Sequence, residues 1–337
     1  MARGATLAEI AREAGVSAPT VSKVLNGRAD VASSTRERVE ELLRTHGYRR
    51  RRGATQSAAL LELVFHELES AWAMEVIRGV ENVAREEGLS LVLSESSGRL
   101  SLGQSWVDGV LARRPIGVVL VLSSLDRAQQ TQLTSRDIPF VVMDPAGDPG
   151  TDVPAVGATN WQGGLAATRH LLELGHRRIG VIAGPRRMMC SRARIDGYRA
   201  ALEEAGVAFD PGLVRDGDFH HETGYTAGLD LLRVSDRPTA VFTGNDLQAL
   251  GLYEAARELG LRVPEDLSVV GFDDLPLARW VGPPLTTVRQ PLTEMAEVAA
   301  RLVIDLARGN KPTTPRVDLA TSLVVRSSTA PPRAAAG

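Results

Sequence analysis

Apolar residues near the N-terminus recur with the period of two short helices. One set falls at i, i+3, i+4 and i+7 and therefore lies on one helix face: Leu7, Ile10, Ala11 and Ala14. Thr6 and Glu9 form a capping box that begins this helix, and Gly15 ends it. Ser17 can cap a second helix, whose inner stripe is Val21, Val24 and Leu25. Two short helices joined by a turn that contains glycine are typical of a helix-turn-helix, whose second helix enters the major groove of DNA.

A third helix is predicted over 35–45, and Gly47 ends it. Three helices of this size can share only a modest core, so the unit should depend on dimer or DNA contacts. An arginine run and the small, polar segment ATQSAA follow without apolar periodicity. The pattern therefore predicts a small all-α domain over 1–50 and a linker over 51–59.

From residue 60 onward, predicted strands and helices alternate with short connections. The apolar run GVVLVL at 117–122 is typical of a strand buried on both faces, as in a parallel sheet between helix layers, so the fold class is α/β. The alternation starts a second time after residue 160, which predicts two lobes with a ligand crevice at the carboxyl ends of the strands. The expected lobes are roughly 60–160 with 291–310, and 161–290 with 311–329. Residues 330–337 are expected to form a disordered tail.

Charge separates the two parts of the 337-residue chain. Residues 1–53 hold 11 Lys and Arg against 6 Asp and Glu, or +5, which leaves −7 for the rest of a chain of net charge −2. The basic end is where an anionic polymer should bind. A single cysteine, Cys190, excludes an internal disulfide and a Cys-based metal site. No signal peptide or apolar run of about 18 residues is present, so a cytoplasmic protein with no membrane segment is expected.

The sequence disfavours an enzyme. It lacks the G-x-G-x-x-G, G-x-x-x-x-G-K-[ST], G-x-S-x-G and H-E-x-x-H motifs, and no cofactor or metal is predicted. Asp273 and Asp274 alternate at a strand end and should point opposite ways, which disfavours shared acid–base chemistry. A secreted sugar-binding protein for transport is excluded by the missing signal peptide and by the helix-turn-helix.

Several segments, in a fixed order, carry a family resemblance. They are AEIAREAGVSAPTVSKVLNGR with TRERVEELLRTHGY, then IRGVE (77–81), LLELGHRRIGVIAGP (171–185), RIDGYRAAL (194–202), GNDLQALG (244–251) and LSVVGFDDLPLARWVGPPLTTVRQP (267–291). Together they resemble the LacI/GalR transcriptional repressors over essentially 5–329. The resemblance implies a helix-turn-helix head joined to a two-lobed, periplasmic-binding-protein-like body with parallel sheets. Such proteins work as dimers or tetramers that release operator DNA when a small ligand, usually a sugar, binds.

The resemblance places base reading at Ala18, Pro19 and Lys23. Lys23 can donate to guanine O6 and N7, worth roughly 1–3 kcal/mol of discrimination, whereas Ala18 and Pro19 can make only apolar contacts, for example with a thymine methyl. The other candidates in the head contact phosphates or cap its helices: Thr6, Ser17, Thr20, Ser22 and Asn26. The alternative is that Ala18, Pro19 and Ser22 are ordinary solvent-facing helix residues.

One segment departs from the family. There, Pro-Asn after Gly-Tyr begins a hinge helix whose leucine wedges into the minor groove. Here the residues after Tyr48 are Arg49, Arg50, Arg51 and Arg52, and no leucine occurs before Leu60. We expect these arginines to enter a narrow minor groove or to bind phosphates; a solvated charge run is the alternative.

The resemblance also assigns effector candidates. They are Trp72, Trp161, Arg194, Phe219, Asn245 and Asp273. Arg194 and Asp273 match a cationic and an anionic group that hold ligand hydroxyls, and Asn245 matches an amide at a strand end. Phe219 and Trp72 match aromatic walls that cover the C–H face of a pyranose. Trp161 begins the segment that links the lobes, where core packing is the alternative.

The sequence therefore predicts a homodimeric DNA-binding transcriptional regulator, a repressor that a mono- or oligosaccharide releases from operator DNA. The alternatives are a non-sugar effector such as a purine, or a corepressor. No leucine heptad follows Arg326, which favours a dimer over a tetramer. Helices around 73–87 and 222–232 are candidates for the dimer interface.

Overall fold

The N-terminal head consists of three helices in the computed structural model. The structure describes residues 6–25, 31–46, 59–65, 67–68, 71–96, 102–122, 125–150, 152–310 and 312–333. The head helices are α1 (Leu7–Ala14), α2 (Ala18–Leu25) and α3 (Ser33–Thr45). Ile10, Val21 and Val39 are completely buried and form the centre of their common core. The predicted linker up to residue 58 lies outside the described residues, as do Asn26, the arginine run 49–52 and 334–337.

Local hydrogen bonds fix the helix starts as predicted. The Glu9 amide donates to Thr6 Oγ1 at 3.3 Å and the Thr6 amide donates to Glu9 Oε2 at 2.6 Å, which is the capping box of α1. Gly15 ends α1 with φ 68°, a left-handed conformation that favours glycine. The Thr20 amide donates to Ser17 Oγ at 3.3 Å, so Ser17 caps α2.

The body contains the remaining elements. In chain order they are β1 (Leu60–Phe65), α4 (Ala71–Glu86), β2 (Ser90–Glu95), α5 (Gln104–Arg113), β3 (Gly117–Val121), α6 (Arg127–Thr134), β4 (Phe140–Met143), β5 (Ala155–Ala158), α7 (Asn160–Glu173), β6 (Ile179–Ile182), α8 (Met189–Glu204), β7 (Val214–Arg215), α9 (His221–Leu232), β8 (Ala240–Thr243), α10 (Asp246–Glu258), β9 (Ser268–Asp273), β10 (Thr286–Arg289), α11 (Leu292–Ala307), β11 (Arg316–Leu319) and β12 (Ser322–Val324). Short 3-10 helices lie at Pro211–Leu213 and Pro276–Arg279.

These elements form the two predicted α/β lobes. The first lobe has a six-stranded sheet of order β11-β5-β4-β3-β1-β2, and the second has a six-stranded sheet of order β12-β10-β9-β8-β6-β7. Every pairing is parallel except that of β10 with β12. β3 is buried along its whole length, as a strand covered by helices on both faces should be.

The chain crosses between the lobes at three places, which position the crevice. The first crossing is Thr159, between β5 and α7. The second lies at Gln290 and Pro291, between β10 and α11, since α11 packs on α4 of the first lobe. The third lies at Ala320 and Thr321, between β11 and β12.

Two boundaries differ from the expected ones. β11 adds to the first-lobe sheet beside β5, although 311–329 was assigned to the second lobe; only β12 pairs there. Ala330, in the expected disordered tail, accepts hydrogen bonds from His176 Nε2 at 2.9 Å and Ser268 Oγ at 3.0 Å. Arg333 pairs with Asp266 at 2.7 Å, so residues 330–333 pack on the second lobe. No helix among the described residues has the length and apolar character required to cross a bilayer.

Candidate functional site

The exposed face of α2 carries the predicted base-reading residues. The side chains of Ala18, Pro19 and Lys23 are exposed, whereas Val21 and Val24 on the opposite face are buried in the head core. Helical periodicity thus separates a core face from a solvent-facing one on the same short helix. The geometry matches a recognition helix that presents its first turn to a groove.

Other predicted residues of the head have local roles. Thr6 Oγ1 and Ser17 Oγ cap α1 and α2, and the Ser17 and Thr20 hydroxyls lie 2.8 Å apart. Ser22 is half-buried on α2. Phosphate contacts from these residues would therefore use amides and hydroxyls that the caps already orient.

A cavity of about 290 Å³ lies between the lobes at the carboxyl ends of the strands. Five predicted residues line it: Trp72 from the first lobe, and Arg194, Phe219, Asn245 and Asp273 from the second. Trp161 is outside the lining; it lies in the first turn of α7 with 40% of its surface exposed. Trp280 is also outside it and is 79% exposed.

The Arg194 guanidinium is buried, with 4% exposure, and is held from several sides. Its Nε donates to Asn160 Oδ1 at 2.8 Å, its Nη1 to the Gly244 carbonyl at 2.5 Å and its Nη2 to Gln290 Oε1 at 3.0 Å. Its Cζ lies 3.6 Å from the centroid of the Phe272 ring, a cation–π contact. Arginine has five N–H donors, so two remain for a ligand.

Asp273 ends β9 beside this guanidinium. Its Oδ1 lies 3.7 Å from Arg194 Nη2 and, within the described part of the chain, has no hydrogen-bond partner although it is buried. Burial raises the pKa of Asp273 to about 7; Arg194 opposes this rise, and Asp144 adds to it. A buried carboxylate oxygen without a donor is costly, so a ligand hydroxyl would be a favourable partner.

Asp144 is a cavity residue that the sequence reasoning missed. It directly follows β4, has 5% exposure and lines the cavity from the first lobe. Burial raises its pKa, while the charge of Arg194 and a hydrogen bond from Gln290 oppose that rise. The available signal was an aspartate directly after a buried strand, the same pattern that marks Asp273.

The aromatic wall formed by Phe219 is built by its neighbours. A Cβ added at Gly184 would lie 2.1 Å from the Phe219 ring, so the ring packs directly on that glycine. Asn245 Nδ2 donates to the Phe219 carbonyl at 2.9 Å. Asn245 Oδ1 accepts from the Gln248 amide in the first turn of α10, also at 2.9 Å. The predicted amide therefore positions the wall and caps a helix, besides lining the cavity.

Backbone strain concentrates around the cavity. Four lining residues other than glycine have positive φ: Leu122 (49°), Asp144 (48°), Phe219 (73°) and Asp273 (108°). Such conformations cost about 1–3 kcal/mol each and cluster at ligand sites, where the surrounding structure holds them in place.

Charged side chains from both lobes meet at the cavity mouth. His220 Nε2 lies 3.1 Å from Glu67 Oε2 of the first lobe, and His220 Nδ1 lies 3.2 Å from Asp218 Oδ1. Burial lowers the pKa of His220, but the carboxylates of Asp218 and Glu67 outweigh it and raise the pKa overall. Sequence reasoning missed this cluster because its members come from separate lobes.

Neither a metal-binding cluster nor an activated thiol is found among the described residues. They contain no group of three His, Cys, Asp or Glu side chains placed to hold a metal ion. Cys190 lines the cavity, but burial raises the pKa of its thiol to about 12, so it stays protonated and is a poor nucleophile.

Comparisons with known proteins match both parts of the chain. The model of bacterial regulatory proteins of the lacI family matches residues 6–51, and that of the periplasmic binding protein-like domain matches 168–329. The chain is 34% identical over 332 residues to the HTH-type transcriptional repressor CytR of Escherichia coli (strain K12), covering 96% of each protein.

Two solved structures share the complete architecture. The complex of the transcriptional regulator CelR with cellobiose has a TM-score of 0.74 and 35% identity, covering 96% of this chain and 99% of that one. The lac repressor dimer bound to operator and the anti-inducer ONPF has a TM-score of 0.71 and 28% identity, covering 97% and 100%. Head, lobes and their order along the chain are thus common to all of them.

Proposed function

This chain belongs to the LacI family of bacterial regulatory proteins, and we propose that it is a repressor that a small sugar releases from operator DNA. As a member of that family it is a DNA-binding transcriptional regulator and not an enzyme. The exposed face of α2, with Ala18, Pro19 and Lys23, is its proposed contact with the major groove. Because its partner is DNA, we place its action in the cytoplasm.

The proposed effector class rests on Asp273 Oδ1, which is buried beside Arg194 and accepts no hydrogen bond from the described residues. Adjacent hydroxyls of a sugar suit this pair, since one hydroxyl donates to the carboxylate and its neighbour accepts from the guanidinium. The rings of Trp72 and Phe219 supply apolar surfaces for the sugar ring. The relative solved with cellobiose gives independent support.

The charges around the cavity favour an uncharged ligand. Four carboxyl groups line it, Glu67, Asp144, Asp218 and Asp273, against the bases Arg187, Arg194 and His220. Burial raises the pKa values of Asp144 and Asp273, which brings the balance closer to neutrality. A phosphorylated sugar would add negative charge to a site that already holds more acids than bases.

A dimer is the proposed functional state. The family relative solved on operator DNA is a dimer, and two-fold symmetry matches a palindromic operator. Met74 on α4, one of the predicted interface helices, is 59% exposed, and Trp280 is 79% exposed. We propose that a second copy of the chain covers these two side chains in the dimer.

A thermal-shift screen of the full-length protein tests the effector class. The probes are cellobiose, ribose, glucose 6-phosphate, adenosine and guanine. A ligand at 100 times its Kd should stabilise the native state by about 2.7 kcal/mol, so a binding sugar raises the Tm. Guanine or glucose 6-phosphate raising the Tm, with no response to the neutral sugars, would contradict the proposal.

A matched pair of variants locates the site. Trp72→Leu should remove most of the sugar response, whereas Trp161→Leu, outside the cavity lining, should keep it. The sugar that raises the Tm should then weaken binding to an operator selected with the wild-type protein. Stronger operator binding in its presence would instead identify a corepressor.

A further inference from the structure

Residues at two of the interlobe crossings are hydrogen-bonded to Arg194, whose side chain lines the cavity. Asn160 directly follows the first crossing, and Gln290 lies in the second. Both accept from the same guanidinium, at 2.8 Å and 3.0 Å, and both are almost completely buried, with exposures of 7% and 3%. A side chain that faces the cavity is therefore tied directly to two of the three connections between the lobes.

The Gln290 amide also reaches the other lobe. Its Nε2 donates to Met295 Sδ on α11 of the first lobe at 3.6 Å, while its Oε1 accepts from Arg194 of the second lobe at 3.0 Å; it also lies close enough to Asp144, which follows β4, to oppose the rise of that residue's pKa. An amide can donate on one side and accept on the other, so Gln290 suits a position between a carboxylate and a guanidinium. The hydrogen bonds form a continuous path from Met295 of the first lobe through Gln290 and Arg194 to Asn160.

The third crossing is bonded to the first. The Thr321 amide donates to Thr159 Oγ1 at 2.9 Å, and Thr321 Oγ1 donates to the Thr159 carbonyl at 3.1 Å. Movement of the chain at Thr159 is therefore shared with Thr321. All three crossings are linked by side-chain hydrogen bonds, two of them directly to Arg194.

We propose that Asn160 and Gln290 are positioning residues that convert the placement of the Arg194 guanidinium into the angle between the lobes. The inference rests on the proposed function, in which a sugar hydroxyl engages Arg194. A ligand that draws the guanidinium toward the cavity alters its bonds to Asn160 and Gln290, where the backbone must rotate if the lobes are to reorient. Burial keeps water from competing for these bonds, which strengthens them.

Interlobe distances in the full-length protein test this inference without a ligand. Spin labels at Arg127→Cys in the first lobe and Glu222→Cys in the second report the separation; both positions are exposed, whereas the native Cys190 is buried. Dilution with unlabelled protein removes distances between protomers. Gln290→Met and Asn160→Ala should each broaden the distribution or move its mean by about 2 Å or more, as domain rearrangements do.

Two controls separate positioning from general loss of stability. Gln248→Met makes the same substitution at a completely buried glutamine whose side chain bonds to the Ala183 carbonyl inside the second lobe and to neither Arg194 nor a crossing. Asn160→Asp keeps the acceptor for Arg194. Both should give the wild-type distance distribution even if their Tm values fall. Distributions for Gln290→Met and Asn160→Ala that match that of Gln248→Met would overturn the inference.

Cellobiose and ribose are then added to the same samples. Where a sugar raises the Tm, it should change the interlobe distance of wild type, and Gln290→Met, at a sugar concentration that saturates its own Tm rise, should show less than half of that change. A full wild-type change in Gln290→Met would overturn the inference. If no sugar raises the Tm of wild type, the proposed effector class is wrong, while the ligand-free comparison still decides the role of Asn160 and Gln290.

Discussion

At the residue scale, Asp273 combines three unfavourable features. It is buried, its Oδ1 accepts no hydrogen bond from the described residues, and its φ is 108°. Each feature costs free energy in the ligand-free protein. A residue of this kind is expected where a ligand later supplies the missing contact.

Asp273→Asn should change the pH dependence of stability. The folded wild type keeps a proton on Asp273 between the ordinary pKa of 3.8 and about 7, whereas the unfolded chain has lost it. The free energy of unfolding therefore falls as pH rises through this interval, by up to about 4 kcal/mol, and is constant above it. The amide of the variant does not titrate, so urea unfolding at pH 4 to 8 should show a shallower decline.

The matched control for this prediction is Asp152→Asn, on the surface. It should retain the wild-type decline. An unchanged decline in Asp273→Asn would show that the carboxyl does not titrate in this range. The same variant should lose the sugar response at pH 8, where wild-type Asp273 is ionised, because an amide cannot replace a charged acceptor beside Arg194.

Lys23→Ala should weaken specific DNA binding. Ala18 and Pro19 offer only apolar contacts, so Lys23 is the long donor among the three base-reading candidates. Loss of its contact to guanine should cost about 1–3 kcal/mol, or roughly 5- to 150-fold in operator affinity at physiological salt. Fluorescence anisotropy with the selected operator and with scrambled DNA measures the specific and the non-specific affinity. Equal affinities of wild type and variant for the operator would place base reading elsewhere.

At the scale of elements, close packing of α7 against α8 positions Arg194. A Cβ added at Gly164 would lie 2.1 Å from the Arg194 carbonyl, and one added at Gly197 would lie 2.1 Å from the Trp161 carbonyl. Both contacts are with backbone, which cannot rotate aside. Glycine therefore allows α8 to approach α7 closely enough for Arg194 to reach Asn160.

Gly197→Ala should separate these helices. We expect a loss of stability of about 1–3 kcal/mol in urea unfolding, as overpacking produces, together with a weaker sugar response. Gly103→Ala is the control, since the nearest atom to its added Cβ is Ser105 Oγ at 3.7 Å and its φ is −74°. Equal stability of wild type and Gly197→Ala would mean that the helices adjust without cost.

At the scale of the whole molecule, the mouth cluster of His220, Glu67 and Asp218 joins the two lobes across the cavity. The raised pKa of His220 means that the charged pair is fully present below the ordinary value of 6.5 and is lost as pH rises through the raised value. His220 is 46% exposed and Glu67 is 41% exposed, so solvent screening limits the contribution to about 0–1 kcal/mol.

His220→Gln should therefore lower the Tm at pH 6 more than at pH 9. Glu67→Gln should show the same trend, because it removes the partner in the other lobe. His221→Gln serves as control, since His221 pairs with Glu254 inside the second lobe. An equal loss for His220→Gln at both pH values would exclude a charged interlobe pair.

Trp280→Glu should weaken the dimer. A 79% exposed tryptophan would bury a large apolar area against a second copy, and a carboxylate there would be desolvated at a cost. Sedimentation equilibrium should show a higher dimer dissociation constant, with operator affinity falling in parallel. Trp161→Glu, at an exposed tryptophan on α7, is the control. Unchanged dimerisation of Trp280→Glu would exclude this surface.

The sequence by itself determined the head and the alternation of strands and helices in the body. Both are local patterns: apolar residues at helical spacing predict α1 and α2, and continuous apolar runs predict buried strands such as Gly117–Val121. Caps at Thr6 and Ser17 are equally local. Strands that were not predicted, such as Ala155–Ala158 and Arg316–Leu319, are short and gain their strand character from pairing with each other.

Only the tertiary structure decided which residues meet in the crevice. Family resemblance pointed to Trp72, Arg194, Phe219, Asn245 and Asp273 and paired Arg194 with Asp273, but it gave none of their other contacts. Asp144, Glu67 and Gln290 reach the same site from the other lobe or from a crossing, and β11 joins the first lobe after the chain has crossed back. Helical and strand periodicity describes neighbours along the chain, whereas these contacts depend on where three separate crossings hold two lobes.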